Sequence, residues 1–416
     1  MTPSQNVQAE AQDGRATVGR GRRSNADLVL GYVWSADVST VTDVMAACGL
    51  TRATVHSIFS DLVEWGWVHE QPSQREAANR TGRPARRFTL AADAGQVLGV
   101  DVGEHSIKVA LADLRGDVIA HRSVHDLTAS TTARARLHHV GRLARDVTNE
   151  VPAGAGRVLA TSVGVAAPVD GDGHIGFRSK SPVQYDEGFR LDREDLTAAV
   201  GGGPLLLAND ANLAVLGERW RGHARGVDNV VALLCSERLG AGVVDSGRLV
   251  LGRDGAAGEM YFLDHVAGVG AAHGVAMMAR QWATEAQQCG RRTIIGDDAH
   301  CRGSVTAEAV FSAAAQGDVV AMEVLERLAD RFARVCGILS TVLNPELVVF
   351  CGGVALAMEP LADAITERLR SLTYGPPRIA CSTLGDAIVT TGAIRLALDH
   401  VQEHALDDTR AERLLR

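Results

Sequence analysis

The chain has 416 residues, which is enough for two or three domains of about 100–200 residues and excludes a small disulfide scaffold. Hydrophobic residues make up 46% and charged residues 22%, a composition typical of globular rather than disordered proteins. The seven cysteines are odd in number and include no Cys-x-x-Cys pair, which favours reduced thiols over a disulfide framework. There is no apolar run of about 20 residues and no apolar leader, so we expect a cytoplasmic protein without a membrane partner.

The formal net charge of −8 is unevenly distributed. Residues 1–90 hold ten arginines and nine acidic residues, whereas residues 91–416 hold 32 basic and 41 acidic residues. Within residues 71–90 there are five arginines and one glutamate. A local excess of arginine is typical of a segment that faces nucleic-acid phosphates. The net negative charge therefore comes from residues 91–416 and does not argue against DNA binding by residues 1–90.

Residues 24–90 follow the pattern of a winged helix-turn-helix domain, after a tail over 1–23 that we expect to be disordered. Ser24 and Asn25 can cap a first helix, whose apolar positions are Leu28, Tyr32 and Val33. Thr40 can cap a second helix, with Asp43 three residues later.

The third helix of this domain begins at Thr51 and ends at Gly66. Its apolar residues stand at i, i+3, i+4 and i+7, namely Val55, Ile58, Phe59 and Leu62. Two alternating segments, 67–70 and 87–90, then flank an arginine-rich loop and predict a wing. The alternative is a small helical module for packing or dimerisation.

The outer face of the third helix carries small or hydrogen-bonding side chains that could approach base edges. We predict that this face and the wing contact double-stranded DNA, the helix reading or positioning bases and the wing arginines holding phosphates or a minor groove. The alternative for any one arginine is an ordinary solvated side chain. The predicted DNA-binding residues are Arg52, Ala53, His56, Ser57, Arg83, Arg86 and Arg87.

Beyond residue 95 the pattern changes to alternating strands, glycine-rich turns and helices. Strands are predicted to end at Asp101 and just before Asn209, and a second series of strands begins at Asn229. This order predicts a two-lobed α/β body with a cleft between the lobes. We place the first lobe at 95–225, the second at 226–400 and a charged tail at 401–416.

Several motifs resemble, in order and spacing, those of the ROK family (repressors, open reading frames and sugar kinases). They are Gly82-Arg83-Pro84, Asp101-Val102-Gly103, Asn209-Asp210-Ala211-Asn212, Gly255-Ala256-Ala257-Gly258-Glu259 and Asn344-Pro345-Glu346 followed by Cys351-Gly352-Gly353. The resemblance implies an actin-like ATPase (sugar-kinase-like) fold for the body, with sugar and ATP meeting in the cleft in those members that are kinases. It also implies that members with a winged head are mainly regulators of carbohydrate metabolism.

The resemblance assigns a sugar site to the first cleft motifs. Asp210 corresponds to the residue that takes the proton from the sugar hydroxyl in the kinases, and Asn209 and Glu259 would bond sugar hydroxyls. His273 falls near another sugar-binding position of the family, although a surface or core histidine is the alternative. For Asn209 and Asp210 the alternative is a helix cap.

The phosphate-binding loops of the kinases are altered here. The family pattern Asp-x-Gly-Gly-Thr is replaced by Asp101 to His105, and the second glycine loop by Ser236 to Gly240. Each loop contains a glutamate, Glu104 or Glu237, where an ATP phosphate would lie, and like charges at close range disfavour nucleotide binding. We therefore predict that the protein is not an enzyme and that Asp210 is a vestigial base.

The zinc-binding pattern of the family is also missing. Its histidine and cysteine positions are replaced by Met260, Tyr261 and Phe262, and no cysteine occurs between 236 and 288, so we predict no metal. Tyr261 and Phe262 could stack on a sugar face or fill the space of the missing loop.

The resulting interpretation is a DNA-binding repressor whose degenerate sugar-kinase-like body senses a sugar or sugar phosphate. We expect it to need no cofactor, and to act as a homodimer or dimer of dimers on a two-fold operator. The alternatives are a sugar kinase with an attached DNA-binding head, and a regulator controlled by a protein partner.

Overall fold

The computed structural model describes residues 25–72, 85–128, 130–151, 156–176, 190–201, 203–296 and 305–414. These residues form a small N-terminal domain followed by two lobes, each built on a five-stranded sheet. The predicted two-lobed sugar-kinase-like body with an N-terminal winged helix-turn-helix domain is confirmed.

The N-terminal domain packs three helices against a three-stranded antiparallel sheet of order β1-β3-β2. Its elements are α1 (residues 25–35), β1 (Ser39–Thr40), α2 (Val41–Cys48), α3 (Arg52–Glu64), β2 (Val68–Gln71) and β3 (Arg87–Leu90). The connection between β2 and β3, which contains the predicted wing loop, lies mostly outside the described residues.

Local sequence sets the ends of α2 and α3. Thr40 and Asp43 form the predicted capping box, in which the Thr40 N–H donates to Asp43 Oδ2 at 2.9 Å. α2 ends at Gly49, whose φ of 68° lies in the left-handed region where a Cβ would add strain. The Thr51 hydroxyl then caps α3 by accepting the Thr54 N–H at 3.3 Å. These caps fix the turn from which α3 projects.

The apolar face predicted for α1 is partly wrong. Leu28 is 51% exposed, whereas Val29, Leu30 and Val33 are buried. Together with Ala26 these buried residues follow the spacing i, i+3, i+4, i+7, and Leu28 falls outside that series.

The first lobe has a mixed sheet of order β6-β5-β4-β7-β8. β4, β5 and β6 form an antiparallel meander, and β7 and β8 run parallel to β4. Because β4, β7 and β8 are parallel, their carboxyl ends meet at one edge of the sheet and bring Asp101 and Asn209 to the cleft. The elements are β4 (Gln96–Val102), β5 (Ile107–Asp113), β6 (Val118–Val124), α4 (Ala133–Asn149), β7 (Val158–Val165), α5 (Arg193–Val200), β8 (Leu205–Asn209) and α6 (Asp210–Arg221).

The second lobe repeats this topology in a sheet of order β11-β10-β9-β12-β13. Here β9, β10 and β11 are antiparallel, and β12 and β13 run parallel to β9. The elements are β9 (Val230–Leu234), β10 (Gly240–Asp245), β11 (Arg248–Leu249), α7 (Val275–Gln288), α8 (Ala307–Ala315), α9 (Val319–Leu343), β12 (Leu347–Cys351), α10 (Glu359–Leu372) and β13 (Arg378–Cys381).

The last helix, α11 (Ile388–Leu414), leaves the second lobe and packs on β4, β7 and α6 of the first. Residues 401–414, predicted as a charged tail, are the continuation of this helix, and Val401, Ala405 and Leu406 are buried. The apolar positions Ile394, Leu398 and Val401 continue into this region at helical spacing, which explains why the helix does not stop at residue 400.

Among the described residues, six cysteines are free, and Cys235, Cys336 and Cys351 of these are buried. No helix in the described part of the chain is long and apolar enough to cross a membrane.

Candidate functional sites

The outer face of α3 is available for contact with a partner. Arg52, Ala53 and Ser57 are exposed, and His56 is half-buried. The opposite face of α3 is fully packed through Val55, Ile58, Phe59 and Leu62, and the Phe59 ring stacks on Phe88 of β3 at 3.9 Å between centroids. The helix is therefore anchored along one side and presents the predicted base-reading side chains on the other.

The wing arginines differ in their surroundings. Arg86 forms an ion pair with Glu70 on β2, and its guanidinium lies 5.5 Å from the centroid of the Phe88 ring. The ion pair raises the pKa of Arg86. Arg87 is half-buried on β3, and Arg83 lies outside the described residues. Arg86 thus has an acidic partner inside the domain, which the sequence did not indicate.

The cleft brings three carboxyl groups together at the edge of the first sheet. Burial raises the pKa of Asp210 to about 7, and the nearby Asp101 and Glu259 carboxylates raise it as well. Burial likewise raises the pKa of Asp101 to about 6, an effect that Lys108 opposes. The pKa of Glu259 is raised by burial and lowered by a hydrogen bond with Tyr261. Asp210 and Glu259, two predicted effector-binding residues, therefore share one acidic site with Asp101.

Asn209 acts as the N-cap of α6. Its Oδ1 accepts the N–H groups of Ala211 at 2.9 Å and Asn212 at 3.2 Å, and its Nδ2 donates to the Ala167 carbonyl at 3.2 Å. Asp210 Oδ1 also accepts the Ala211 N–H, at 2.8 Å. The capping alternative describes Asn209, whereas Asp210 combines a capping contact with its place in the acidic site.

His273 lies beside the loop at 236–238, which is part of the same segment that Glu259 bridges at Gly240. Its backbone forms an isolated bridge with Arg238. The pKa of His273 is lowered, first by burial and then by the Arg331 and Arg238 charges, while Asp264 and Glu237 oppose the shift. It is half-buried.

Both glutamates of the altered phosphate loops are paired with arginine. Glu104 Oε2 accepts from Arg238 Nε at 3.1 Å, and this pair joins the first lobe to the second. Glu237 binds Arg280 of α7 through two hydrogen bonds of 2.8 and 2.7 Å, which hold the pKa of Glu237 below its usual range. These two carboxylates therefore repel a phosphate group less than free carboxylates would. Their ion pairs with arginine nevertheless remain in the loops that correspond to the phosphate loops of the kinases.

A buried arginine on α4 holds the first of these loops. Arg136 donates to the carbonyls of Gly103 at 2.7 Å, Glu104 at 3.0 Å and Thr128 at 3.4 Å. The residue is fully buried. The Glu104 backbone is thus fixed from beneath while its carboxylate faces the second lobe.

Tyr261 and Phe262, which follow Glu259 in the chain, have different surroundings. Tyr261 bonds Glu259, whereas the Phe262 residue is 77% exposed and its ring lies 4.6 Å from that of His265. Phe262 therefore lies largely in solvent.

Within the described ranges, one group of three residues could hold a metal ion, namely Asp170, Asp172 and His174. This group lies in a turn in which Asp170 Oδ1 accepts the N–H groups of Asp172 and His174 at 3.0 and 2.9 Å.

The sequence reading missed Lys108 and Asp386. Lys108 Nζ lies 3.8 Å from Asp101 Oδ2 and 3.5 Å from Asp386 Oδ1, and it donates to the Asp386 carbonyl at 3.1 Å. The signal was present, because Lys108 is one of only two lysines in a chain with 42 basic residues. Asp386 lies outside the motifs shared with the ROK family.

Comparison with known proteins agrees with this geometry. Residues 29–72 match the IclR helix-turn-helix domain, and residues 97–400 match the ROK family. The chain is 28% identical to a glucokinase of Thermotoga maritima, over 74% of this chain and 98% of that protein. It is 22% identical to the xylose repressor of Caldicellulosiruptor bescii, over 91% of this chain and 96% of the repressor.

A solved structure supports the fold over almost the whole length. It is that of a ROK family transcriptional regulator described as a homologue of the E. coli MLC protein, with a TM-score of 0.72, 21% identity, and coverage of 94% of this chain and 99% of that one. The match includes the head as well as the two lobes. With a family match over residues 97–400, the chain belongs to the ROK family.

Proposed function

We propose that this protein is a sugar-responsive transcriptional repressor of carbohydrate metabolism that does not phosphorylate its ligand. One observation carries the proposal. The chain combines an exposed α3 face with a two-lobed body, and in that body the loops corresponding to the kinase phosphate loops hold the Glu104–Arg238 and Glu237–Arg280 ion pairs. The similarity to the xylose repressor, which extends over 91% of this chain, provides independent support.

In this proposal α3 lies in the major groove of an operator. Arg52, Ala53, His56 and Ser57 contact or position bases, while Arg87 and Arg83 hold the backbone or a minor groove. Arg86 contributes less, because it is paired with Glu70. A homodimer, or a dimer of dimers, would place two such helices on the half-sites of a two-fold operator in the cytoplasm.

The effector is proposed to be a neutral sugar in the cleft, bound by Asp210 and Glu259 with Asp101 nearby. These three carboxyl groups outnumber the two cations that act on them, Lys108 and Arg238, and Arg238 is also paired with Glu104. Such a site accepts hydroxyl donors and disfavours a phosphate group. Between the two effector classes that the sequence left open, this charge balance favours the sugar without phosphate.

The alternative function is ATP-dependent phosphorylation of a sugar. It is favoured by the retention of Asp210, whose pKa of about 7 is suited to a general base, and by the similarity to a glucokinase. Nucleotide binding at the kinase position would require the Glu104–Arg238 and Glu237–Arg280 pairs to open. We therefore propose that turnover is absent.

The test combines DNA binding with enzyme assay. DNA duplexes that the full-length protein selects from a random pool serve as the operator. The ligands are glucose, mannose, xylose and N-acetylglucosamine, and each sugar and its 6-phosphate (5-phosphate for xylose) are added in separate experiments. We expect release of the operator by one neutral sugar and no ADP formation from ATP. Sugar-dependent ADP formation that disappears in Asp210→Asn would instead establish the kinase, and release only by an added protein would establish the partner-controlled regulator.

A further inference from the structure

Lys108 is placed between the acidic site and the second lobe. It stands on β5 directly opposite Asp101 of β4, and its side chain is 19% exposed. One ammonium group contacts the Asp101 carboxylate on one side and both the carboxylate and the main-chain carbonyl of Asp386 on the other. The hold on Asp386 therefore depends on the charge state and contacts of Asp101.

Asp386 occupies the junction between the second lobe and α11. It lies two residues before the first residue of α11, in a short 3₁₀ turn. Its Oδ1 approaches the glycine loop after β12 so closely that a Cβ at Gly353 would be only 2.5 Å away. Lys108 thus fastens the first lobe to the root of α11.

α11 is packed on the effector-site elements without spare room. A Cβ at Gly99 of β4 would lie 2.8 Å from the Thr390 carbonyl, and one at Gly217 of α6 would lie 2.8 Å from the Ile388 carbonyl. A Cβ at Gly392 would lie 1.8 Å from the Leu213 carbonyl of α6. Because the backbones touch, a displacement at the start of α11 cannot be absorbed by side chains.

The other end of α11 belongs to the core of the DNA-binding domain. Val401, Ala405 and Leu406 are in one hydrophobic cluster with Val29 and Leu30 of α1. The helix of 27 residues spans about 40 Å at 1.5 Å per residue. It therefore connects the cleft directly to the helix-turn-helix domain.

We propose that Lys108 is a positioning residue that couples sugar binding to the orientation of the DNA-binding domain, through Asp386 and α11. The inference rests on the proposed function, since it requires a sugar at the acidic site. A sugar hydroxyl that binds Asp101 and Asp210 changes the interaction of the Lys108 ammonium group with the Asp101 carboxylate. The interaction of the same ammonium group with Asp386 then changes as well. Because α11 is packed on the first sheet without spare room, the two then move together relative to the second lobe at Asp386, and the head moves with the far end of α11.

The experiment measures operator affinity with and without saturating sugar, using the neutral sugar from the panel above that binds the wild type. In Lys108→Met, at a sugar concentration that saturates the DNA-free variant, we expect the sugar-induced change in operator affinity, of about 5–150-fold in typical coupled systems, to collapse to about twofold or less, while operator affinity without sugar stays within about threefold of the wild type. Lys108→Arg, which keeps the charge and hydrogen bonds to Asp386, is expected to restore most of the coupling.

Two further variants make the result decisive. Asp386→Asn removes the Lys108–Asp386 ion pair by changing its exposed partner and should also reduce coupling. This variant keeps the inference testable if Lys108→Met folds poorly. Arg142→Met removes the half-exposed Arg142–Asp146 pair, which lies on α4 rather than on α11, and should leave coupling unchanged. Full coupling in Lys108→Met and in Asp386→Asn refutes the inference alone, whereas a wild type that no sugar releases from DNA refutes the proposed function.

Discussion

Replacing Asp210 by asparagine should make the protein more stable at neutral and alkaline pH. The pKa of Asp210 is raised from the ordinary 3.8 to about 7 in the folded protein, so the native state holds a proton that the unfolded chain has already released at pH 5–6. Stability from this group is fully present below pH 3.8 and is lost as the pH rises through 7. Asparagine keeps the Oδ1 that accepts the Ala211 N–H and never ionises.

The size of the effect follows from the shift. Between pH 5 and pH 8 a carboxyl with these two pKa values costs the native state about 2–3 kcal/mol, out of about 4 kcal/mol over the full range. The nearby Asp101, whose pKa is about 6, ionises over the same interval, and removal of the Asp210 charge relieves it as well. The advantage of Asp210→Asn over the wild type should therefore grow by about 2–3 kcal/mol from pH 5 to pH 8.

Urea denaturation followed by circular dichroism at half-unit pH steps measures this difference. Asp363→Asn, an exposed aspartate on α10, provides the matched control and should show no such growth with pH. A constant difference between Asp210→Asn and the wild type across pH 5–8 would refute the burial and like-charge argument for the acidic site.

Three further changes have defined outcomes. Arg52→Ala should weaken operator binding in gel shifts by about 1–3 kcal/mol, and Arg86→Ala by less because Arg86 is bound to Glu70, so equal losses would contradict the geometry. Arg136→Met leaves the Gly103 and Glu104 carbonyls without their buried donor and should lower the free energy of unfolding by about 2–4 kcal/mol, measured by urea denaturation. Val401→Asp places a charge in the cluster shared by α1 and α11 and should cost about 3 kcal/mol or more, with a matched exposed change, Glu403→Asp, near neutral.

The elements of the head could be predicted because their signals are local. The Thr40–Asp43 capping box and the spacing of Val55, Ile58 and Phe59 need only neighbouring residues, and the structure reproduces both. The strands of the first lobe are equally local, as at Gln96–Val102. Motif order supplied the rest of the architecture.

Side-chain partners at long sequence separation could not be predicted. Glu104 meets Arg238 across 134 positions, and Lys108 meets Asp386 across 278, so no window of sequence contains both partners. Asn209 was ambiguous for a different reason, since its capping and sugar-binding roles use the same amide and only the fold shows which atoms are already engaged. The continuation of α11 was missed because its charged residues masked an apolar face.

The path of α11 also has a consequence for biosynthesis. Residues 388–406 complete the core that the head shares with the first sheet, yet they are translated some 360 residues after the α1 residues that they cover. Pairings across most of the chain are slow to form, and until they do the part of the head core that α11 covers is exposed and prone to association. We therefore expect a chain that ends before residue 388 to lack part of this shared core and to orient its DNA-binding domain poorly.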